Sequence, residues 1–518
     1  MAPTIKNSFF SPSSAILVKK ILRFLVPAVF FVIVFACIRF RNVFEYNVDE
    51  GMYTMRAFLH LKGYALYKQI WMDQPPVLVL ILSYFFKTFG ASIFLARLVT
   101  LLFSTLFILA IYGIISKTQN TLSALWAAIT IIFSLSYLYF SVSAVATIPV
   151  IATAVLSIYC LLCYEDTGKK RFIILSAIIF ALALMIKFLA VIFLPGMLVE
   201  MFISGRSKKT CAESHACFPG LILLWFITFF AAILYIIRAA SIDLSQIIQP
   251  YVLARKIVIT GQPEASRCLF QWFKDASGVV PLVLCALIFT KRGQRKFFLV
   301  PLINLASVIL VFSTHRPLWS HYYLYIIFPL SWLASYGIYA LCNLIGEEWK
   351  NRNTVLSGNS TVKIICFSLA LGFSLTMTYL EYPHLKWQLI KPELDSRRQD
   401  SGNRCVIDLM KGYAPKTHMV VTDRLIYAFY AGLPVHPYLA TVSSKRIYCG
   451  LLTAKDYINI IIKERPELVL LTEETKMMGG NIEPFLKKDY ELSYENECSG
   501  NIQKLYISKK IKRGFSEK

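Results

Sequence analysis

The chain has 518 residues, 57% of them hydrophobic, with a mean hydropathy of +0.58 and a formal net charge of +24. Soluble globular chains carry roughly 45–50% apolar residues, so the composition excludes an ordinary soluble domain. No long basic run stands outside the apolar blocks, which excludes nucleic acid as the reason for the charge.

The apolar residues gather in blocks long enough to cross ~30 Å of hydrocarbon as helix. Period-2 alternation, the mark of a membrane barrel, is not sustained. Basic residues collect at the ends of the blocks and between them, where they set orientation and meet anionic lipid. The twelve cysteines are read as carrying no metal-site pattern. Cys37, Cys285 and Cys366 stand inside apolar blocks as packing residues. Cys268, Cys405, Cys449 and Cys498 fall on the expected outer side, where spacing does not establish a disulfide.

In chain order, Lys19, Lys20 and Arg23 precede a first block, Phe24 to Ile38. Nothing after it resembles a cleavage site, so it reads as a retained anchor. A long loop, residues 41–92, follows. Within it Asp49 to Leu61 is a short helix with acids in its first turn, where the helix dipole favours them. Val77 to Phe89 is short for a span and suits the interface. Further spans are expected at Ile93–Ile115, Thr121–Phe140, Val142–Tyr164, Phe172–Met185, Phe188–Ser204, Phe218–Ile237, Gly278–Thr290, Phe297–Ser313, Tyr323–Leu344 and Ile364–Leu380. Lys187 interrupts one apolar stretch and predicts a tight turn there. The connections with Lys117, Lys169–Lys170–Arg171, Arg206–Lys208–Lys209, Lys291–Arg292–Arg295–Lys296 and Lys350–Arg352 share one side, which is expected to be cytoplasmic. The N-terminus is then inside and the C-terminus outside. A second long outer loop covers residues 239–277.

After Leu380 no spanning block occurs. Met419–Asp423, Leu468–Thr472 and Leu505–Ser508 read as short strands, with helices at Val406–Lys411 and Thr453–Lys463, a pattern of a small α/β domain. The expectation is a polytopic α-helical membrane protein of about eleven spans. It divides into a transmembrane part, residues 1–380, and a soluble extracytoplasmic α/β domain, residues 381–518, in an inner or plasma membrane.

The first outer loop holds the strongest chemical signal: Asn47-Val48-Asp49-Glu50-Gly51-Met52-Tyr53, Gly63-Tyr64, Tyr67, Asp73-Gln74-Pro75-Pro76, Phe89-Gly90 and Ala96-Arg97. Carboxylates beside a span face water or a cavity. In a partly desolvated cavity such a group acts as general base toward a hydroxyl. Helix capping is the plainer role for Asp49 and Glu50, and on spacing alone it is the stronger one. Lys187, a charge between apolar spans, is a functional candidate or a snorkelling helix end. Trp319, Tyr323 and Tyr325 read as an aromatic belt. Gln249-Pro250-Tyr251 with Arg255 suits either a closing loop or a solvated surface segment. Asp423 reads as a turn or cap residue.

The order Asp-Glu, Gly-x-x-x-Tyr, Gln-Pro-Pro, Phe-Gly and Ala-Arg resembles the first loop of GT-C-fold glycosyltransferases, relatives of the protein O-mannosyltransferases and the lipid A aminoarabinose transferase. The resemblance continues through Lys187, through His315-Arg316-Pro317-Leu318-Trp319-Ser320-His321-Tyr322-Tyr323, and into the tail at Thr422-Asp423, Ala431-Gly432-Leu433-Pro434 and Gly450-Leu451-Leu452-Thr453. It implies a polyprenyl-phosphate-linked sugar donor used on the outer face, with Asp49 as the catalytic carboxylate; inversion at the anomeric carbon follows if the acceptor displaces the phosphate in one step. Glu50, Tyr53, Gln74, Arg97, Lys187, Arg255, Arg316, His321 and Tyr322 are implied as substrate-binding. Lys187, Arg316 and His321 suit the donor phosphate. The acceptor it leaves open is lipid, glycan or protein, and a divalent cation is likewise left open. The chain departs from the pattern at Thr147, where relatives often carry a second acid, and at Gln74, where some carry lysine. A transporter or flippase of lipid-linked sugars, or a non-catalytic relative, is the competing reading. Internal repeats and paired broken helices would favour transport, and the sequence shows neither.

Overall fold

Helices form wherever the sequence places an apolar block, and short capping signals decide where they start and stop. The computed structural model describes residues 12–134, 137–205, 217–254, 265–289, 295–315, 318–350, 358–472, 481–498 and 501–511. Arg255 and Arg316 lie outside these residues, as do Arg206, Lys208, Lys209, Lys291, Arg292 and Arg352 of the basic connections.

Among the described residues six helices are long and apolar enough to cross a membrane: Lys20–Cys37, Ile93–Thr118, Thr147–Thr167, Pro219–Ala239, Ser320–Gly346 and Thr361–Gln399. A bent pair, Ala265–Asp275 and Val280–Phe289, turns through 83°. Shorter apolar helices stand at Thr121–Ile132, Arg171–Ile186, Phe188–Ile203 and Phe298–Thr314. Each of the eleven expected spans therefore falls on an apolar helix. The expected span from Thr121 to Phe140 is divided into α5 (Thr121–Ile132) and α6 (Tyr137–Ser141). Leu223, Ile227, Phe230 and Leu234 are exposed on the helix from Cys217 to Ala239, the arrangement that contact with lipid requires.

The first outer loop is ordered by caps. Asn47 begins α2 (Val48–Leu61) by accepting the Asp49 N–H at 2.9 Å. Gly63 follows that helix at φ +96°, and Gly90 ends α3 (Val77–Phe89) at φ +87°. Both angles are left-handed, so the Gly-Tyr and Phe-Gly motifs are helix stops. Ser92 then caps α4 (Ile93–Thr118) through the Leu95 N–H at 3.2 Å. Lys187 ends α8 (Arg171–Ile186) in extended geometry, φ −158° and ψ 131°, before a 3-10 turn over Phe188–Phe193.

The long helix Gly358–Tyr413 runs through Leu380 without a break and becomes polar beyond it. It leads into a four-stranded sheet of order β1-β2-β4-β3, formed by β1 (Val420–Thr422), β2 (Leu468–Leu471), β3 (Tyr490–Cys498) and β4 (Asn501–Ser508). β1 and β2 are parallel, with Val421 opposite Val469, and both are wholly buried. Such strands read as continuous apolar runs. β2–β4 and β3–β4 are antiparallel. Asp423 accepts the Thr472 N–H at 3.0 Å and ties the ends of β1 and β2 together.

Candidate active site

The tail is fastened to the first outer loop by charged groups. Arg424 donates from Nε and Nη2 to Glu45 Oε2 at 2.9 and 2.7 Å. The Arg56 guanidinium reaches Asp73 Oδ1 at 2.9 Å and the Thr441 hydroxyl at 2.9 Å. The helix Leu425–Tyr430 packs on α2 so closely that a Cβ on Gly51 would lie 2.9 Å from the Ile426 nitrogen. This docking brings the tail loop at Ser443–Lys445 over the first-loop residues.

Between them is a cavity of about 220 Å³. Asp49, Tyr53, Gln74, Lys187, His321 and Tyr322 all line it, joined by Arg56, Asp73, Ser443 and Lys445. Five separate stretches of chain thus converge: α2, the Asp73–Gln74 turn, the Lys187 break, the 3-10 turn Ser320–Tyr322, and the tail at Ser443–Lys445. Burial pushes the Asp49 carboxyl above its ordinary range, against the pull of Lys187, with Asp73 adding to the rise and Arg56 opposing it. Burial lowers the Lys445 ammonium to about 8, with Asp73 opposing and Lys187 assisting. Lys187 is 6% exposed, with its Nζ 4.8 Å from the centre of the Tyr322 ring. His321 meets Phe140 and Tyr322 edge-on, at 5.7 and 4.6 Å between ring centres.

Glu50 and Arg97 are elsewhere. They form a fully buried ion pair, Arg97 Nη2 to Glu50 Oε2 at 2.7 Å and Nε to Oε1 at 3.1 Å. Glu50 also accepts the backbone N–H groups of Tyr46 and Ala144, both at 2.8 Å. Arg97 donates to the carbonyls of Phe40, Val43 and Phe44 at 2.8, 2.6 and 3.3 Å. The pair fastens the connector between α1 (Pro12–Cys37) and α2 to α4; neither residue lines the cavity. Adjacent positions on a helix are turned by about 100°, so Asp49 faces the cavity while Glu50 faces the connector. Thr147 is buried at the start of α7 (Thr147–Thr167) and does not line the cavity.

The charged lining comprises Arg56, Lys187 and Lys445 against Asp49 and Asp73. A cavity with one surplus positive charge suits an anion. Among the described residues no group of three His, Cys, Asp or Glu is placed to hold a metal ion. The Cys160–Cys163 spacing on α7 has no further ligands beside it among the described residues, and Asp73 is already bound to Arg56. The donor set among the described residues does not fit a metal ion.

Sequence reasoning missed Arg56, Ser443 and Lys445. Lys445 carried no signal, because its place in the site depends on docking between segments far apart in the chain.

Residues 73–236 match the family described as dolichyl-phosphate-mannose-protein mannosyltransferase. No curated protein sequence matches the chain. In fold the chain is similar to ArnT from Cupriavidus metallidurans bound to undecaprenyl phosphate, with TM-score 0.62, 11% identity, and 96% of this chain and 98% of that one covered. The apo ArnT structure gives TM-score 0.62 at 12% identity, covering 94% and 98%. The Archaeoglobus fulgidus oligosaccharyltransferase tethered to an acceptor peptide gives TM-score 0.50 at 13% identity, covering 93% of this chain and 73% of that one. The chain is a multi-pass membrane protein with the GT-C fold of these membrane glycosyltransferases.

Proposed function

We propose that the protein is a glycosyltransferase that moves a sugar from a polyprenyl-phosphate donor to an acceptor hydroxyl on the outer face of the membrane, with inversion. The observation that carries this reading is the meeting of Asp49 and Lys187 in one buried cavity with a surplus positive charge. The likeness to a protein crystallised with undecaprenyl phosphate supports the donor class.

In this mechanism the donor phosphate lies against Lys187 and Lys445. Asp49 accepts the proton of the acceptor hydroxyl as its oxygen forms the new bond to the anomeric carbon. The bond from that carbon to the phosphate oxygen breaks, and its electron pair leaves on the polyprenyl phosphate. The lysine cations stabilise the departing charge. One displacement inverts the anomeric centre. Burial raises the basicity of Asp49, which favours proton capture. Tyr322 places its ring beneath Lys187, and His321 shapes the adjoining wall. Glu50 and Arg97 act through position, holding α2 so that Asp49 faces the cavity.

The membrane part, residues 1–380 with outer loops 41–92 and 239–277, supplies the carboxylate and Lys187. The tail, residues 381–518, closes the cavity from the extracytoplasmic side. The basic connections Lys117 and Lys169–Arg171 support a cytoplasmic N-terminus in an inner or plasma membrane. Incubation of the purified protein with radiolabelled polyprenyl-phosphate sugars and membrane acceptors tests the reading: transfer of one sugar is expected. Saturable donor binding without turnover, for every donor in the panel, would leave a non-catalytic binder.

A further inference from the structure

Beside the Asp49 cavity is a larger one, about 510 Å³ in volume. Its walls are the Glu45–Asn47 connector, the polar half of the long helix from Gln388 to Gln399, and the tail face with Arg424, Tyr427 and Gln503. The two cavities share Asn47 and Ser320. Asn47 is the cap that holds the Asp49 N–H, and the larger cavity is lined by neither Lys187 nor Lys445.

Three of its wall residues carry a buried oxygen with no donor among the described residues: Glu45 Oε1, Gln388 Oε1 and Gln503 Oε1. The Glu45 side chain is 5% exposed, and its other oxygen is taken by Arg424. Gln503 is fixed because its Nε2 donates to Asn403 Oδ1 and meets the Tyr427 hydroxyl, both at 2.7 Å. Buried acceptors are normally matched, and leaving one unmet is costly. Three on one cavity mark a place completed by a molecule rich in donors. Glu45 and Asp395 balance Arg424 and Lys391, so no surplus cation remains for a phosphate or an acidic sugar. Polar walls of this kind do not suit an acyl chain.

We propose that this cavity is the acceptor subsite and that its ligand is an uncharged, hydroxyl-rich glycan. The inference rests on the glycosyl-transfer reading. The glycan hydroxyls fill the three orphaned acceptors. One hydroxyl enters past Asn47 and Ser320, gives its proton to Asp49 and bonds to the anomeric carbon, while the polyprenyl phosphate leaves on the Lys187 side.

The test uses the full-length protein, undecaprenyl phosphate as the donor-site probe, and radiolabelled polyprenyl-phosphate sugars with a crude envelope fraction. Product label is sorted by solvent extraction, protease digestion and size. Wild-type label is expected in solvent-insoluble, protease-resistant glycan. Gln388→Trp, which fills the cavity from a partly exposed helix position, is expected to lower transfer at least about tenfold, the effect of a modest steric clash. Gln503→Met removes an orphaned acceptor and is expected to raise KM for the envelope fraction. Both variants keep wild-type affinity for undecaprenyl phosphate. Label in lipid or peptide overturns the inference, as does a Gln388→Trp protein that transfers like wild type or also loses undecaprenyl phosphate. A wild type that binds undecaprenyl phosphate but labels no glycan sinks the inference alone. A wild type that does not bind it removes the underlying reading as well.

Discussion

Replacement of Arg97 by alanine separates a positioning role from a binding role. Its guanidinium makes five hydrogen bonds, two to Glu50 and three to backbone carbonyls of the connector. Both side chains of the pair are fully buried. Removing one partner leaves a buried charge uncompensated, which costs about 3–5 kcal/mol. In a large chain that corresponds to a fall on the order of 5–10 °C in melting temperature. Glu50→Leu is expected to fall by a comparable amount. The double variant Glu50→Leu/Arg97→Met, which removes both charges, is expected to recover much of the loss, since a buried pair is often replaceable by apolar residues. Thermal unfolding in detergent, with undecaprenyl phosphate affinity measured in parallel, reads both quantities. Single variants that melt like wild type would refute the clasp. So would an Arg97→Ala protein that keeps its stability but loses donor affinity, because Arg97 would then belong to the site.

Lys187→Met removes a buried cation from the phosphate side and is expected to weaken undecaprenyl phosphate binding about 10–100-fold, the worth of a charge-assisted hydrogen bond; equilibrium binding measures it. Lys445 loses its proton as pH rises through about 8, so wild-type affinity for the phosphate is expected to fall above that pH. Lys445→Arg stays charged and is expected to flatten part of that fall, the rest following Lys187, whose ammonium burial also lowers to about 8, as a binding titration from pH 6.5 to 9.5 would report. Gly51→Ala places a methyl group against the Ile426 backbone and is expected to loosen the tail, seen as faster proteolysis between residues 414 and 472.

Much of the architecture was legible because apolar blocks announce membrane helices directly. The division at α5 and α6 was not, since both segments are apolar and the break between them carries no glycine or proline signal. In the tail, β1, β2 and β4 were visible as apolar runs. β3 was not: it is an edge strand bearing Glu491, Glu495 and Glu497, and charges on an edge hide the pattern while discouraging aggregation. In the candidate site, the first-loop motif pointed to a segment that lines the cavity but not to the rotation of α2, which sends Asp49 to the cavity and Glu50 to Arg97. Asp73 stood in the motif, yet its partner Arg56 was not apparent, because that contact depends on how the loop folds back upon α2.

In the proposed mechanism Asp49 takes the acceptor proton. Asp49→Asn keeps the size and the cap but cannot accept that proton. With a radiolabelled polyprenyl-phosphate sugar and an envelope fraction, the variant is expected to lose transfer by at least about a hundredfold, the scale of general-base catalysis, while binding undecaprenyl phosphate like wild type. Transfer at the wild-type rate by Asp49→Asn would remove Asp49 from the catalytic role.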